Sequence, residues 1–83
     1  MSSDFSEDTL KKVLGTVLDI APESITDATS QDNVETWDSL RHLTLILALE
    51  EQFGISFPDE EAANLSSYQL VRLVVKELLA AKG

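Results

Sequence analysis

The 83-residue sequence contains no cysteine. This excludes a disulfide framework and a thiolate metal site, so any thiol chemistry must come from a group attached to the chain. Basic residues are few: six Lys and Arg stand against 15 Asp and Glu, for a formal net charge of −9. That charge disfavours binding to nucleic acid and to anionic membrane surfaces, and it favours protein partners with basic patches.

Long apolar runs are also missing, so the sequence predicts no membrane span. The first residues lack the basic segment and apolar run of a secretory signal, and we expect a cytoplasmic protein. Hydrophobic residues make up 43% of the chain but aromatic residues only 6%. This composition predicts one domain over residues 1–83, with an aliphatic core and a frayed start at residues 1–5.

Helical spacing of apolar residues recurs in three segments and predicts an all-α fold, a small bundle of three main helices plus one short helix. We expect Ser6 to cap the first helix and Pro22 to stop it, whereas Gly15 inside it has no explanation at this level. The predicted core stripes of the first and last helices are Leu10, Val13, Leu14, Val17 and Leu18, and Leu70, Val71, Val74, Val75 and Leu78.

A polar, aperiodic loop is expected over residues 21–36 and a second helix from about Ser39 to Phe53, ended by Gly54. An extended connector and a short helix over residues 59–65 should follow. Ser66, with Gln69 three residues on, predicts a capping box at the start of the last helix.

The second helix has two apolar faces when its residues are placed 100° apart. One face is predicted to join the core and carries His42, Leu45, Ile46, Leu49 and Phe53. The opposite face carries Leu40, Leu43 and Leu47 and is edged by Glu50 and Glu51. Because a helix of a small bundle rarely buries both faces, we interpret the second face as a docking surface; the alternative is that the neighbouring loop covers it.

Asp38-Ser39-Leu40 stands at the expected start of this helix. The Ser39 hydroxyl would then lie beside free backbone N–H groups at the positive end of the helix dipole, where an attached phosphodiester is favoured. Asp38, just before Ser39, can cap the helix; the alternative is that Ser39 itself is only a cap. His42, the single histidine, is expected to be packed and hydrogen-bonded rather than catalytic, since no nucleophile elbow surrounds Ser39. Trp37 is expected to pack at the helix start.

The order of residues from Trp37 through Leu43, continued by Glu50-Glu51-Gln52-Phe53-Gly54-Ile55 and Phe57-Pro58-Asp59-Glu60-Glu61, resembles the acyl carrier protein family. The likeness runs from about Leu10 to Leu79. It implies a non-catalytic carrier in which a phosphopantetheinyl transferase attaches 4′-phosphopantetheine covalently to Ser39, between Asp38 and Leu40. The thiol of this arm would hold acyl intermediates as thioesters.

The resemblance also implies partners: acyl-transferring, condensing or ligase enzymes that have basic docking patches. The residues expected to meet them are Leu40, Leu43, Leu47, Glu50, Glu51, Glu60 and Glu61. A solvated helix start explains Glu60 and Glu61 equally well. We expect a monomer. We also expect no metal site, since the calcium-loop spacing of Asp27 to Asp38 lacks the glycine at position six and the glutamate at position twelve.

One departure from the family pattern stands beside Ser39. Housekeeping fatty-acid carriers usually have an acid where this chain has Arg41, and their preceding loop is less polar. This indicates a specialised, free-standing carrier of a polyketide, lipid-modification or other secondary pathway. Two alternatives stay open: an aminoacyl or peptidyl carrier, and a helical regulatory module that never carries an arm.

Overall fold

The computed structural model describes residues 5–82, which form a bundle of four helices. Helix α1 spans Glu7–Leu18, α2 Ser39–Phe53, α3 Asp59–Ala63 and α4 Tyr68–Lys82, and a 3-10 turn spans Pro22–Ser24. The predicted all-α class and the three long helices with one short helix are confirmed. No helix in this described range is long and apolar enough to cross a membrane.

Both ends of α1 are fixed by local capping. The Ser6 hydroxyl accepts a hydrogen bond from the Thr9 amide at 3.3 Å, as expected of an N-cap. At the other end Asp19 adopts a left-handed conformation with φ 59°, and its N–H donates to the Gly15 carbonyl. Helix α1 ends at Leu18, four residues before Pro22, and Pro22 begins the 3-10 turn.

Gly15 has a steric role that the sequence did not indicate. A Cβ atom at this position would lie 2.7 Å from the Ile20 carbonyl oxygen and 3.0 Å from Cγ of Pro22. The chain leaving α1 thus folds back against its own last turn. Only a residue without a side chain permits that approach.

The core lies between the long helices and collects most of the predicted stripes. Leu70 is an exception, because it is 40% exposed. Leu79, which directly follows the last residue of the predicted stripe, is buried. The fully buried side chains, at under 2% exposure, are Leu10, Leu14, Leu18, Ile25, Leu45, Leu49, Leu65, Tyr68, Val71 and Val75.

The start of α4 differs from the predicted capping box. Ser67, not Ser66, caps the helix, and its hydroxyl accepts a hydrogen bond from the Leu70 amide at 3.2 Å. The reason is tertiary: Ser67 pairs with Ser30 in an isolated antiparallel bridge. This bridge keeps residues 66–67 extended and moves the helix start by one residue, and it anchors the long loop to α4.

The predicted frayed start lies largely outside the described residues. Phe5, which is described, is half-buried and stacks on Phe53 with ring centroids 6.4 Å apart. The Lys76 ammonium lies 5.6 Å from the centre of the Phe5 ring. Phe5 therefore belongs to the packed part of the chain.

A polar network joins α1, the long loop and α4. The buried Tyr68 hydroxyl donates to Oε2 of Glu7 at 2.7 Å, and Arg72 contacts the same oxygen at 3.0 Å and Asp27 at 2.9 Å. These two donors, Tyr68 first and then Arg72, lower the pKa of Glu7. Burial and the Glu7 hydrogen bond raise the pKa of Tyr68.

Replacement Gly15→Ala should destabilise the fold. Overpacking costs about 1–3 kcal/mol, whereas alanine gains only about 1 kcal/mol over glycine in a helix interior. Urea unfolding followed by circular dichroism measures the sum of the two. Thr16→Ala, at the exposed neighbouring position, is the control and should be neutral or slightly stabilising. A more stable Gly15→Ala variant would show that the chain after α1 does not approach Gly15 this closely.

Acid should remove the contribution of the Glu7 network. Because the pKa of Glu7 is lowered from its ordinary value of 4.5, its stabilisation is fully present above pH 4.5 and is lost as the pH falls through the lower folded-state pKa. The wild type should melt higher than Glu7→Gln at neutral pH, and the gap should close in acid. Glu23→Gln, on the exposed 3-10 turn, is the control. A Glu7→Gln gap that is constant from neutral pH into acid would contradict this assignment.

Candidate functional site

The site is built at the start of α2, and its geometry begins with Asp38. This residue has extended backbone angles, and its Oδ1 atom accepts a hydrogen bond from the Arg41 amide at 2.8 Å. Asp38 is therefore the N-cap, as predicted, and Ser39 is the first residue of the helix. The alternative in which Ser39 serves as the cap is wrong, because Asp38 occupies that role.

Ser39 is exposed. Its position in the first turn places the side chain beside backbone N–H groups at the positive end of the α2 dipole. An oxygen attached there in an anionic ester would be stabilised by both effects. The residue thus fits the phosphate end of a phosphopantetheine arm in both access and electrostatics.

Trp37 and His42 pack together beneath the start of α2, on the side that faces the core. Trp37 is only 3% exposed, and its indole Nε1–H donates to Nδ1 of His42 at 3.1 Å. Because the indole can only donate, Nδ1 accepts and Nε2 carries the hydrogen, which lies toward the Ala62 carbonyl at 2.7 Å. The predicted packing roles of both residues are confirmed. Both ring nitrogens of His42 are engaged, and through them α2 is joined to α3.

The second apolar face of α2 is open to solvent. Leu40, Leu43 and Leu47 are 73%, 63% and 66% exposed. The preceding loop does not cover them, so that alternative is wrong. Three exposed leucines on one face form a contiguous apolar stripe of the kind that marks interaction surfaces; we call Leu40, Leu43 and Leu47 the leucine stripe.

The acidic residues around the leucine stripe differ in their exposure to solvent and in their hydrogen bonds. Glu51, Glu60 and Glu61 are exposed. Glu50 is half-buried, and its Oε2 accepts a hydrogen bond from the Phe57 amide at 2.8 Å. Glu50 thus holds the connector between α2 and α3 in addition to any contact with a partner. This role cannot be read from the sequence, since the hydrogen bond depends on how the connector folds back.

A groove of about 510 Å³ runs between α2 and the α3 region. Its walls are mainly apolar, and they include one edge of the leucine stripe. The lining residues are His42, Leu43, Ile46, Leu47, Glu50, Phe57, Asp59, Ala62 and Ala63. A groove of this size and polarity can accommodate an alkyl chain or a similar apolar group.

The described residues contain no cluster of three or more His, Asp or Glu side chains suited to hold a metal ion. The polar loop that resembles a calcium loop in spacing is organised differently. Asp27, its first position, pairs with Arg72 at 2.9 Å. Asn33, its seventh position, binds within the loop, where Nδ2 donates to the Ala28 carbonyl at 2.7 Å.

Arg41 reaches away from Ser39. Its Nη1 donates to the backbone carbonyl of Val17 at 2.7 Å, at the C-terminal end of α1. The hydroxyl of Thr36 donates to the next carbonyl, that of Leu18. The turn that carries Ser39 is thereby joined to the end of α1 on both of its sides. The sequence shows Arg41 only as a departure from a family pattern, because its partner is a carbonyl 24 residues earlier in the chain.

Comparison with known proteins agrees with this geometry. Residues 8–76 match the family described as "Phosphopantetheine attachment site". An acyl carrier protein of Thermosynechococcus vestitus is 36% identical over 72 residues, 87% of this chain and 89% of that protein. An acyl carrier protein homolog of Mycoplasma genitalium is 48% identical over 46 residues, 55% of each.

The fold is shared as well. The solution structure of a holo acyl carrier protein from Geobacter metallireducens matches with a TM-score of 0.81 and 32% identity, over 92% of this chain and 87% of that one. The chain therefore belongs to the acyl carrier protein family. It is a carrier with 4′-phosphopantetheine as its prosthetic group, and it holds acyl groups for other enzymes, as the sequence predicted.

Proposed function

We propose that Ser39 is the residue that carries the phosphopantetheine arm. The observation that carries this proposal is the division of roles at the start of α2: Asp38 caps the helix and leaves the exposed Ser39 hydroxyl at its positive end. A hydroxyl placed this way is both accessible to an incoming enzyme and favourable for the phosphodiester that results.

The attachment needs a separate transferase. The Ser39 oxygen forms a bond to the phosphorus of coenzyme A that carries the pantetheine. The bond from that phosphorus to the bridging oxygen breaks, the adenosine portion leaves, and the hydroxyl proton goes to a base. His42 is the single histidine of the chain, and both of its ring nitrogens are engaged. We therefore assign the base to the transferase, in keeping with a chain that is itself no enzyme.

The leucine stripe is the proposed docking surface for the transferase and for enzymes that use the acyl group. Its three exposed side chains supply the apolar centre. Glu51, with Glu60 and Glu61 at the start of α3, supplies an acidic rim, and Glu50 adds a half-buried carboxylate. A partner pocket lined by apolar side chains and edged by Arg or Lys would complement this surface.

The groove between α2 and the α3 region suits an acyl cargo. Most of its lining residues are apolar, so an alkyl or polyketide chain would gain from contact with them. The arm contributes the thiol that holds this cargo as a thioester. We therefore propose acyl intermediates of fatty-acid, polyketide or a related lipid biosynthesis as the natural load.

The attachment site can be tested by mass. The purified apo protein is incubated with coenzyme A, magnesium and a broad-specificity phosphopantetheinyl transferase, and its intact mass is followed. The wild type should gain one phosphopantetheine, and Ser39→Ala should gain none, because the accepting oxygen is removed.

Ser56→Ala is the matched control, since Ser56 is also exposed but lies in the connector after α2. It should be loaded like the wild type. Loading of Ser39→Ala would place the attachment at another residue, and a wild type that gains no mass would contradict the proposal altogether.

The docking surface can be tested with Leu47→Arg. The added cation would oppose a basic partner and remove an apolar contact, so we expect the KM of the transferase for this variant to rise at least about tenfold. The melting temperature should change little, because Leu47 is 66% exposed.

Leu73→Arg is the control: Leu73 is 53% exposed on α4, so the same change is made at a similar exposure on another helix. Its KM should stay near that of the wild type. An equal rise in both variants would mean that positive charge anywhere on the surface is harmful, and unfolding of Leu47→Arg would mean that the leucine stripe is part of the core.

A further inference from the structure

The C-terminal end of α1 contacts the segment that contains Ser39. The last turn of this helix contains no basic residue, and its C-cap is Asp19, an acid at the negative end of the helix dipole. A cation normally stabilises this end of a helix. Here the cation comes from another helix: Arg41 of α2 donates to the Val17 carbonyl at 2.7 Å.

Arg41 does not stand alone. Thr36 donates its hydroxyl to the Leu18 carbonyl, which follows the Arg41 acceptor directly in the chain. Thr36 lies three residues before Ser39, and Arg41 lies two residues after it. The segment that contains Ser39 is thus anchored on both sides to two consecutive carbonyls of α1.

The Arg41 side chain points away from Ser39, so its contact with α1 does not involve the proposed attachment site. Two residues along an α-helix correspond to a rotation of about 200°, so the Arg41 side chain leaves α2 on roughly the opposite side from Ser39. Its guanidinium is engaged with α1 and is not presented beside the attachment hydroxyl. The inverted charge at this position acts within the fold.

We propose that Arg41 is a positioning residue for the modification of Ser39, acting with Thr36 to hold the start of α2 against the end of α1. This inference rests on the proposed attachment at Ser39. It assigns a role to the feature that departs most clearly from the family pattern. Without the anchor, the turn over residues 36–41 would sample more orientations, and the hydroxyl would spend less time aligned with coenzyme A in the transferase complex.

The test measures kcat and KM of transferase loading for four variants, at a temperature well below every melting midpoint. Arg41→Ala and Thr36→Val each remove one anchor, and Thr36→Val does so without changing the charge. We expect each to lower kcat about three- to tenfold while KM changes less than twofold, because orientation is lost but the leucine stripe is intact. Arg41→Lys keeps a donor and a charge and should recover part of the loss.

Arg72→Ala is the control for charge and for stability. It removes one cation and breaks the contacts to Glu7 and Asp27, so it should lower the melting temperature but leave kcat near the wild-type value. The inference is overturned if kcat is unchanged in Arg41→Ala, if Arg72→Ala loses as much kcat, or if Thr36→Val is unaffected and only the charge change matters. Failure of the wild type to load would instead reject the attachment at Ser39, so the two proposals are tested separately.

Discussion

The hydrogen bond from the Arg41 amide to the Asp38 carboxylate, 2.8 Å long, begins α2, and the properties of the site depend on it. An N-cap must supply a side-chain acceptor to an otherwise unpaired amide. Because Asp38 supplies it, the next residue can hold its hydroxyl outward. A serine in the cap position would have its oxygen directed at its own helix. In this chain the capping role of Asp38 is thus separate from the role proposed for Ser39.

The same short segment is held against two other helices by contacts that leave the hydroxyl accessible. Trp37 and His42 link it to the Ala62 carbonyl on α3. Thr36 and Arg41 link it to the last carbonyls of α1. In a domain of this size the core alone supplies modest rigidity. Fixing the turn that contains Ser39 to two other helices gives it a defined orientation without burying Ser39.

The sequence allowed prediction of what depends on local rules. The caps at Ser6 and Asp38, the end of α2 at Gly54 and the two faces of α2 follow from side-chain chemistry and a 100° rotation per residue, and the structure agrees. The predictions were wrong where contacts between distant segments determine the local structure. Ser67 replaced Ser66 as the α4 cap because a bridge to Ser30 extends the chain there.

The distribution of charged residues along the chain bears on how a partner would approach the leucine stripe. Residues 42–71 contain no Lys or Arg, whereas α1 and α4 contain five of the six basic residues in the chain. Basic residues are therefore absent from the segment that holds most of α2 and all of α3, and this segment carries five acids. A basic surface on one of the proposed partners would be attracted to this acidic segment before contact is made. With the proposed docking surface, affinity would depend on its apolar centre, so binding would be fast but short-lived, as suits a carrier that must leave each enzyme after delivery.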